Sequence, residues 1–351
     1  MVAARIDPIF ARKAEKAGQG GVTFGQIADE LVAAIEPGLR NAKHRGQWRT
    51  SLGVEPYDRT KVRISMDAHE AHVAALTALR AKPVADVATE HVLAVISPLW
   101  TEAPESASRV RGRIERALDA ARVKGHRTGE NPARWKGHLA LILPRRSAAT
   151  REHHAAMSYD DVSALIARLR AGGGVSAAGL EFTILTAART GEVLGATWGE
   201  IDLAAKVWRI PAGRMKAGRE HTVPLPDRCV QILIAMAALR PAEASGADPI
   251  FPGQKRGKGL SQMALAMALR RIGSEATVHG FRSTFRDWAG DRTRFPREVA
   301  EAALAHAVGD ATERAYRRGS AMEERRKLMD AWAQHCEPKL AGGNVIAMGA
   351  R

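Results

Sequence analysis

The sequence predicts a mainly α protein with a small antiparallel β-sheet in its C-terminal domain, and three observations lead there. Apolar residues recur at helical spacing in segment after segment, whereas period-two alternation is confined to residues 207–225. A polar, basic, small-residue stretch at 144–157 has no hydrophobic period and reads as a linker between two parts, each long enough for its own core. The positive charge is shared between those parts: residues 1–150 carry 24 basic and 16 acidic side chains, and residues 151–351 carry 29 and 22.

A net charge of +15 over 351 residues suits a polyanionic partner, although charge alone fits a generally basic proteome equally well. A disordered basic tail would concentrate the excess, whereas two basic domains meeting one nucleic acid would spread it as seen. No apolar run approaches the ~20 residues of a membrane helix, and the N-terminus lacks a charged-then-apolar signal pattern. Cys229 and Cys336 are too few for a disulfide framework or a zinc cluster, which fits a reducing cytoplasm.

In the N-terminal half, residues 1–20 read as the tail of a helix followed by the Gly18-Gln-Gly-Gly21 break. Thr23 is an N-cap for a helix with Phe24, Ile27, Ala28, Leu31, Val32 and Ile35 on its apolar side, and Pro37-Gly38 ends it. The stretch 40–49 places Lys43, Arg45 and Arg49 around Trp48. It reads either as a set of phosphate contacts or as a solvated helical face with Trp48 in the core. A helix over 67–80 has a weak apolar side, Ala71, Ala74, Ala75 and Leu79, and no evident role. Residues 92–99 form a short apolar helix. The next, capped by Ser106 or Ser108, buries Val110, Ile114, Leu118 and Ala121 and carries Arg109, Arg111, Arg113, Arg116 and Arg122 on its other face, with Glu115 and Asp119 available to neutralise part of that stripe. Together these predict a helical bundle with arginines on one side. Arg145 and Arg146 follow in the linker, which can itself lie along DNA.

The C-terminal half begins with a helix capped by Ser158, whose buried stripe is Val162, Leu165, Ile166 and Leu169 and which ends at Gly172-Gly-Gly174. A second helix over 176–188 delivers Arg189-Thr-Gly-Glu192, with Arg189 at a junction and Glu192 placed to hold it. Alone, such a pair is usually an ordinary ion pair. Residues 207–210 and 221–225 then flank a Gly-rich basic connection and read as a β-hairpin with Lys216 near its tip. Helices over 232–239 and 261–271 follow. In His279-Gly-Phe-Arg282, the histidine and arginine project from a face other than the core set Phe281, Phe285 and Trp288. A helix over 296–305 ends at His306, and Gly309-Asp310 restarts one that carries Tyr316 among Arg314, Arg317 and Arg318. The last helix, 322–336, has Leu328, Met329 and Trp332 on one face, to be packed either at home or in a neighbouring protomer.

The set Ala188-Arg189-Thr-Gly-Glu192, Lys216, His279-x-x-Arg282, Leu304-Ala-His306 and Tyr316 occurs in one order over about 130 residues of a basic two-domain chain. It resembles the catalytic domain of tyrosine recombinases, above all prophage and genomic-island integrases. The resemblance is strong over 155–337 and weaker over 22–145. It implies a helical core-binding domain at 22–143, the linker at 144–157, an α+β catalytic domain at 158–337 and a C-terminal tail at 338–351. Residues 1–21 look like the remnant of an N-terminal arm-binding domain. Ala305 stands where the family often has glycine, and residues 51–83 look longer than the usual connection.

What the resemblance implies about chemistry is specific. Tyr316 would be the nucleophile and would end joined to a DNA 3′-phosphate, so that a second DNA end reverses the step without ATP. Arg189 and Arg282, as permanently charged forks, would neutralise the non-bridging oxygens. His279 and His306 would add hydrogen bonds and assist proton movement, Lys216 would be the general acid for the departing 5′-oxygen, and Glu192 would order Arg189. The family implies no cofactor or metal, and four protomers on attachment-site duplexes, with a host DNA-bending protein and an excision factor as possible helpers. It also implies a cytoplasmic, nucleoid-associated location. Two other readings remain: relaxation of supercoils in the manner of a type IB topoisomerase, and a catalytically silent DNA-binding relative.

Overall fold

Thr23 starts the first helix because its hydroxyl accepts the Gln26 N–H at 3.2 Å while the Gln26 side chain accepts the Thr23 N–H at 2.8 Å, a reciprocal capping box. The computed structural model describes residues 21–39, 41–56, 64–144, 156–240, 243, 245–255, 257–306 and 320–338. Its chain separates into two units, Met1–Thr150 and Arg151–Arg351.

The N-terminal unit is helical: α1 (Phe24–Ile35), α2 (Ala42–Ser51), α3 (Met66–Ala81), α4 (Thr89–Trp100) and α5 (Pro104–Val123). Phe24, Ile27, Ala28 and Val32 of α1 enter its core with Trp48, Leu76, Leu79, Val95, Leu99, Ile114 and Leu118. The stretch that had no evident role is part of this core. The inward face of α3 is Ala68, His72, Leu76 and Leu79, and Ala71 and Ala74, expected on it, are exposed. His72 hid the pattern, because a histidine breaks the apolar stripe on paper yet is buried here with its Nδ1 2.8 Å from the Val95 carbonyl. The exit of α3 pairs with the entrance of α1, Phe24 N–H donating to Lys82 O and Val84 N–H to Val22 O, both at 2.9 Å. Gly25 permits that approach, since a Cβ there would lie 2.9 Å from the Arg80 carbonyl oxygen.

Helix α5 starts at Pro104 rather than at a serine cap, because proline has no N–H to leave unsatisfied in a first turn and its φ is already helical. Its arginines do not all lie on one outer face. Arg113 falls on the same stripe as Val110, Ile114 and Ala117 and is buried, its guanidinium bonded to Gln47 O and Ser51 Oγ and 5.1 Å over the Trp48 ring. Arg111 bonds Glu115 and the Ala133 carbonyl, whereas Arg109, Arg116 and Arg122 are exposed.

In the C-terminal unit, α6 (Val162–Gly172) and α7 (Val175–Thr186) lead to the short α8 (Thr190–Leu194). Nine of the twelve residues of α7 are buried, on every side of the helix, which makes it the centre of this core. The strands β1 (Ile201–Asp202), β2 (Val207–Ile210) and β3 (His221–Pro224) form an antiparallel sheet in sequence order, with Ile201 opposite Trp208, Trp208 opposite Val223 and Ile210 opposite His221. The expected hairpin is therefore present, with one short strand added at its edge.

Helices α9 (Asp227–Ala237), α10 (Ala264–Arg271), α11 (Gly280–Arg292), α12 (Arg297–Ala303) and α13 (Ser320–Cys336) complete the unit. The last helix packs at home. Leu328, Met329, Trp332 and Cys336 are fully buried in the unit's own core, and the Trp332 indole N–H donates to Ile184 O at 2.9 Å. Among the described residues no helix is long and apolar enough to cross a membrane.

Candidate active site

The site is assembled where three helices end or begin. At the C-terminus of α7, Ala187 adopts a left-handed conformation (φ 48°), which breaks the helix and turns Arg189 into the N-cap of α8. Glu192, three residues on, accepts both the Arg189 N–H and its Nη1, each at 2.8 Å. The carboxylate is 5% exposed and the arginine side chain 24%. A buried carboxylate thus fixes one edge of a guanidinium whose remainder reaches solvent.

Arg282 lies in the first turn of α11 and is buried. It donates to the carbonyl of Ala187, to Leu304 O at 2.6 Å, and toward His306 Nε2 at 3.2 Å. Burial, helped by the positive charge of Arg189, lowers its pKa to about 10, with Glu192 and Glu301 opposing. It therefore remains a cation at neutral pH, with part of its five-donor fork committed to the two backbone turns that border the site and to His306.

The arginine also decides the state of His306. A guanidinium only donates, so Nε2 is the acceptor in that contact, and Nδ1 carries the proton. Nδ1–H points at Glu301 Oε2, 2.5 Å away. Glu301 is itself buried, with Arg286 Nε 2.8 Å from its other oxygen. Burial raises its pKa, but the bond from His306 and the charge of Arg286 outweigh that and hold the carboxyl below the usual range. A carboxylate behind an imidazole fixes both its tautomer and its direction.

The turn that presents His306 explains the position before it. Ala305 is left-handed (φ 52°), and His306 N–H closes back to Glu301 O at 2.9 Å, the C-capping geometry that glycine fills most readily. Alanine occupies it here at a cost of about 1 kcal/mol.

His279 is the N-cap residue of α11, exposed, with its carbonyl accepting the Arg282 N–H at 3.1 Å. Lys216 is exposed on the connection between β2 and β3. Tyr316, Arg145 and Arg146 lie outside the described residues. Of the N-terminal basic set, Lys43 is exposed, Arg45 donates to Leu39 O at 2.7 Å, Arg49 bridges Glu36 and Glu55, and Arg109 pairs with Glu105. Arg111 and Arg113, expected on the outer stripe, instead commit their guanidinium groups inside the unit.

Sequence reasoning missed Glu301, His221 and Arg214. Glu301 carried no readable signal, since the left-handed turn at Ala305 that folds position 301 back beneath His306 is not marked by an alanine. His221, opening β3, sits near Glu192, Arg189 and Arg325. Its pKa is lowered to about 4, by burial first and by Arg325 next, against the pull of Glu192 and the Ala303 carbonyl. The imidazole is therefore neutral at physiological pH and adds no further cation to a site that already holds several. Arg214 bonds the Glu192 carbonyl and the Glu200 carboxylate.

The architecture is that of solved integrases. It superposes on a chain of a lambda integrase tetramer bound to a Holliday junction with a TM-score of 0.57 at 15% identity, covering 88% of this chain and 83% of that one. The Tn1549 transposon integrase in complex with circular intermediate DNA gives 0.58 at 13% identity, covering 88% and 99%. At such identities the likeness shows the fold. The sequence carries the family: residues 24–138 match the phage integrase central domain and residues 155–323 match the phage integrase family. The chain belongs to the phage integrase family. Prophage integrase IntA of Escherichia coli K12 is 38% identical over 166 residues, 46% of this chain and 39% of that protein. Prophage integrase IntZ of the same strain is 31% identical over 269 residues, 76% and 64%. The integrase of Enterobacteria phage P4 is 26% identical over 354 residues, 95% and 73%. The chain thus spans less than two thirds of the first two relatives.

Proposed function

We propose that the protein is a site-specific DNA recombinase that cuts and rejoins strands through a 3′-phosphotyrosyl intermediate, integrating or excising a mobile element. The observation that carries this reading is the pairing of Arg189 and Arg282 at one place, each with a buried carboxylate nearby, Glu192 bonded to the first and Glu301 reaching the second through His306. Two guanidinium groups held close repel one another until an anion arrives. Such a pair favours a phosphate whose charge grows in the transition state.

In this reading the Tyr316 phenol oxygen attacks phosphorus as its proton passes to a histidine of the site, His279 or His306. A P–O bond forms to tyrosine, and the P–O5′ bond breaks. Lys216 donates a proton to the departing oxygen, leaving a 5′-hydroxyl. The displaced hydroxyl, or that of a second DNA end, reverses the step. Arg189 and Arg282 stabilise the non-bridging oxygens, with a hydrogen bond from the His279 ring, while His306, its Nδ1–H held by Glu301, offers Nε2 as an acceptor for proton movement on or off the phenol. Residues 22–143 would act as the core-binding domain and 158–337 as the catalytic domain, with Lys43, Arg109 and linker residues Arg145 and Arg146 as phosphate contacts. The partners are attachment-site duplexes and, as in the lambda integrase tetramer on a Holliday junction, further copies of the chain. A host bending protein and an excision factor belong to the same reading, as does a place on the nucleoid.

Covalent trapping on nicked duplexes taken from DNA flanking the gene tests it. The wild-type protein should form an SDS-stable adduct, and Tyr316→Phe should form none. An adduct with the Phe variant would remove Tyr316 from the role.

A further inference from the structure

We infer that Arg214 is a positioning residue that holds Lys216 against the Arg189–Glu192 turn, an inference that rests on the reading of Lys216 as the leaving-group acid. The connection 211–220 between β2 and β3 leaves Lys216 exposed and contains two glycines, Gly213 and Gly218. Left to itself, such a stretch would sample many conformations, and an acid must be within hydrogen-bond reach of the oxygen it protonates. The connection is tied down just before the lysine. Residues 212–214 form a single 3-10 turn, closed by Arg214 N–H to Pro211 O at 2.9 Å, and Met215 is buried in the core.

The side chain of Arg214 then bridges two partners on the other side of the site. One nitrogen donates to the Glu192 carbonyl and another to the Glu200 carboxylate. Glu200 is fixed in turn by the Trp208 indole N–H at 2.8 Å, from β2, the strand that leads into the connection. Space for the bridge comes from Gly195, where a Cβ would lie 3.0 Å from an Arg214 nitrogen. Glu192 therefore holds Arg189 with its carboxylate and Arg214 with its carbonyl. Through that one residue the backbone carrying Lys216 is registered to the guanidinium that would hold the phosphate. A lysine at 214 could not make the same bridge, because the two acceptors need separate donors on a planar fork.

The test uses full-length protein and the duplex that traps covalently, with either oxygen or sulfur at the 5′-bridging position of the scissile phosphate. A thiolate, from an acid of pKa about 8.5, leaves without being protonated, so the sulfur substrate bypasses the acid. Lys216→Ala should lose about a hundredfold or more on oxygen and regain near wild-type cleavage on sulfur. Arg214→Ala should show the same split, and Arg214→Lys and Glu200→Gln a smaller one of the same sign. If the Arg214 and Glu200 variants are slowed equally on both substrates, or cleave the oxygen substrate normally, Arg214 does not act through Lys216. If sulfur fails to restore Lys216→Ala itself, the assignment of Lys216 is wrong and the inference falls with it.

Discussion

His221 makes the stability of the C-terminal unit depend on pH in a way that can be calculated. Its ring is half-buried at the start of β3, beside the Ala303 carbonyl, and lies near Arg325, Glu192 and Arg189. Its native pKa of about 4 lies below the 6.5 of an ordinary histidine. The unfolded chain therefore binds the proton first, and stability is lost as pH falls. The loss begins near the ordinary value and is complete near the lowered one. At pH 5 it amounts to about 2 kcal/mol, with a ceiling of about 3 kcal/mol at lower pH. For a domain of this size, 2 kcal/mol corresponds to roughly 4–8 °C in Tm. The measurement is thermal unfolding of wild type and His221→Gln from pH 7.5 to 4.5. Other groups titrate in both proteins, so the quantity to follow is the difference between the two. The wild-type Tm should fall below that of the variant progressively under pH 6.5. A difference that stays constant across this range would mean that the histidine is not held neutral by burial.

Four further outcomes follow from the same geometry. Glu301→Gln should slow strand cleavage roughly tenfold and Glu301→Ala more, the loss of a charge-assisted bond of about 1.5–3 kcal/mol, read in single-turnover assays. Because the Glu301 carboxyl is held below its ordinary range, its stabilising contribution is present above that range and disappears as pH falls through the lowered value, so the Gln variant should show a shallower acid-side loss of Tm. Ala305→Gly should raise stability by about 0.5–1 kcal/mol in denaturant titrations, since relief of the left-handed strain exceeds the entropy glycine brings to the unfolded chain. Trp332→Ala should cost about 3–5 kcal/mol, because the indole is fully buried 4.9 Å from Trp288 and 5.5 Å from Phe285. A cost under 1 kcal/mol in dilute protein would mean that the last helix does not belong to its own core.

Much of this architecture was readable from spacing. The stripes of α1 and α6, the hairpin, and the core set Phe281, Phe285 and Trp288 follow local periodicity, which a chain cannot hide because each face must be buried or wetted. The ordered set of arginines, histidines, lysine and tyrosine was also visible, because local groupings such as Arg189-Thr-Gly-Glu192 and His279-x-x-Arg282 recur in one order along the chain. What a side chain touches was another matter. Arg113 and Arg109 look alike on α5, yet one is buried over Trp48 and the other pairs at the surface, because the packing of α2 against α5 decides which face is inside. His72 reads as polar and is core.

The sequence by itself determined the two-part order and the helices, which rest on residues near one another along the chain, and the candidate chemistry, which rests on the order of residue types over about 130 positions. Only the tertiary structure decided that Arg282 donates to Ala187, 95 positions earlier, and that Arg214 ties the Lys216 connection to Glu192, 22 positions earlier. Hydrogen bonds across such separations depend on how helix ends are brought together by burial of the core. No local pattern encodes that meeting, which is why a candidate set could be named before folding but its geometry could not.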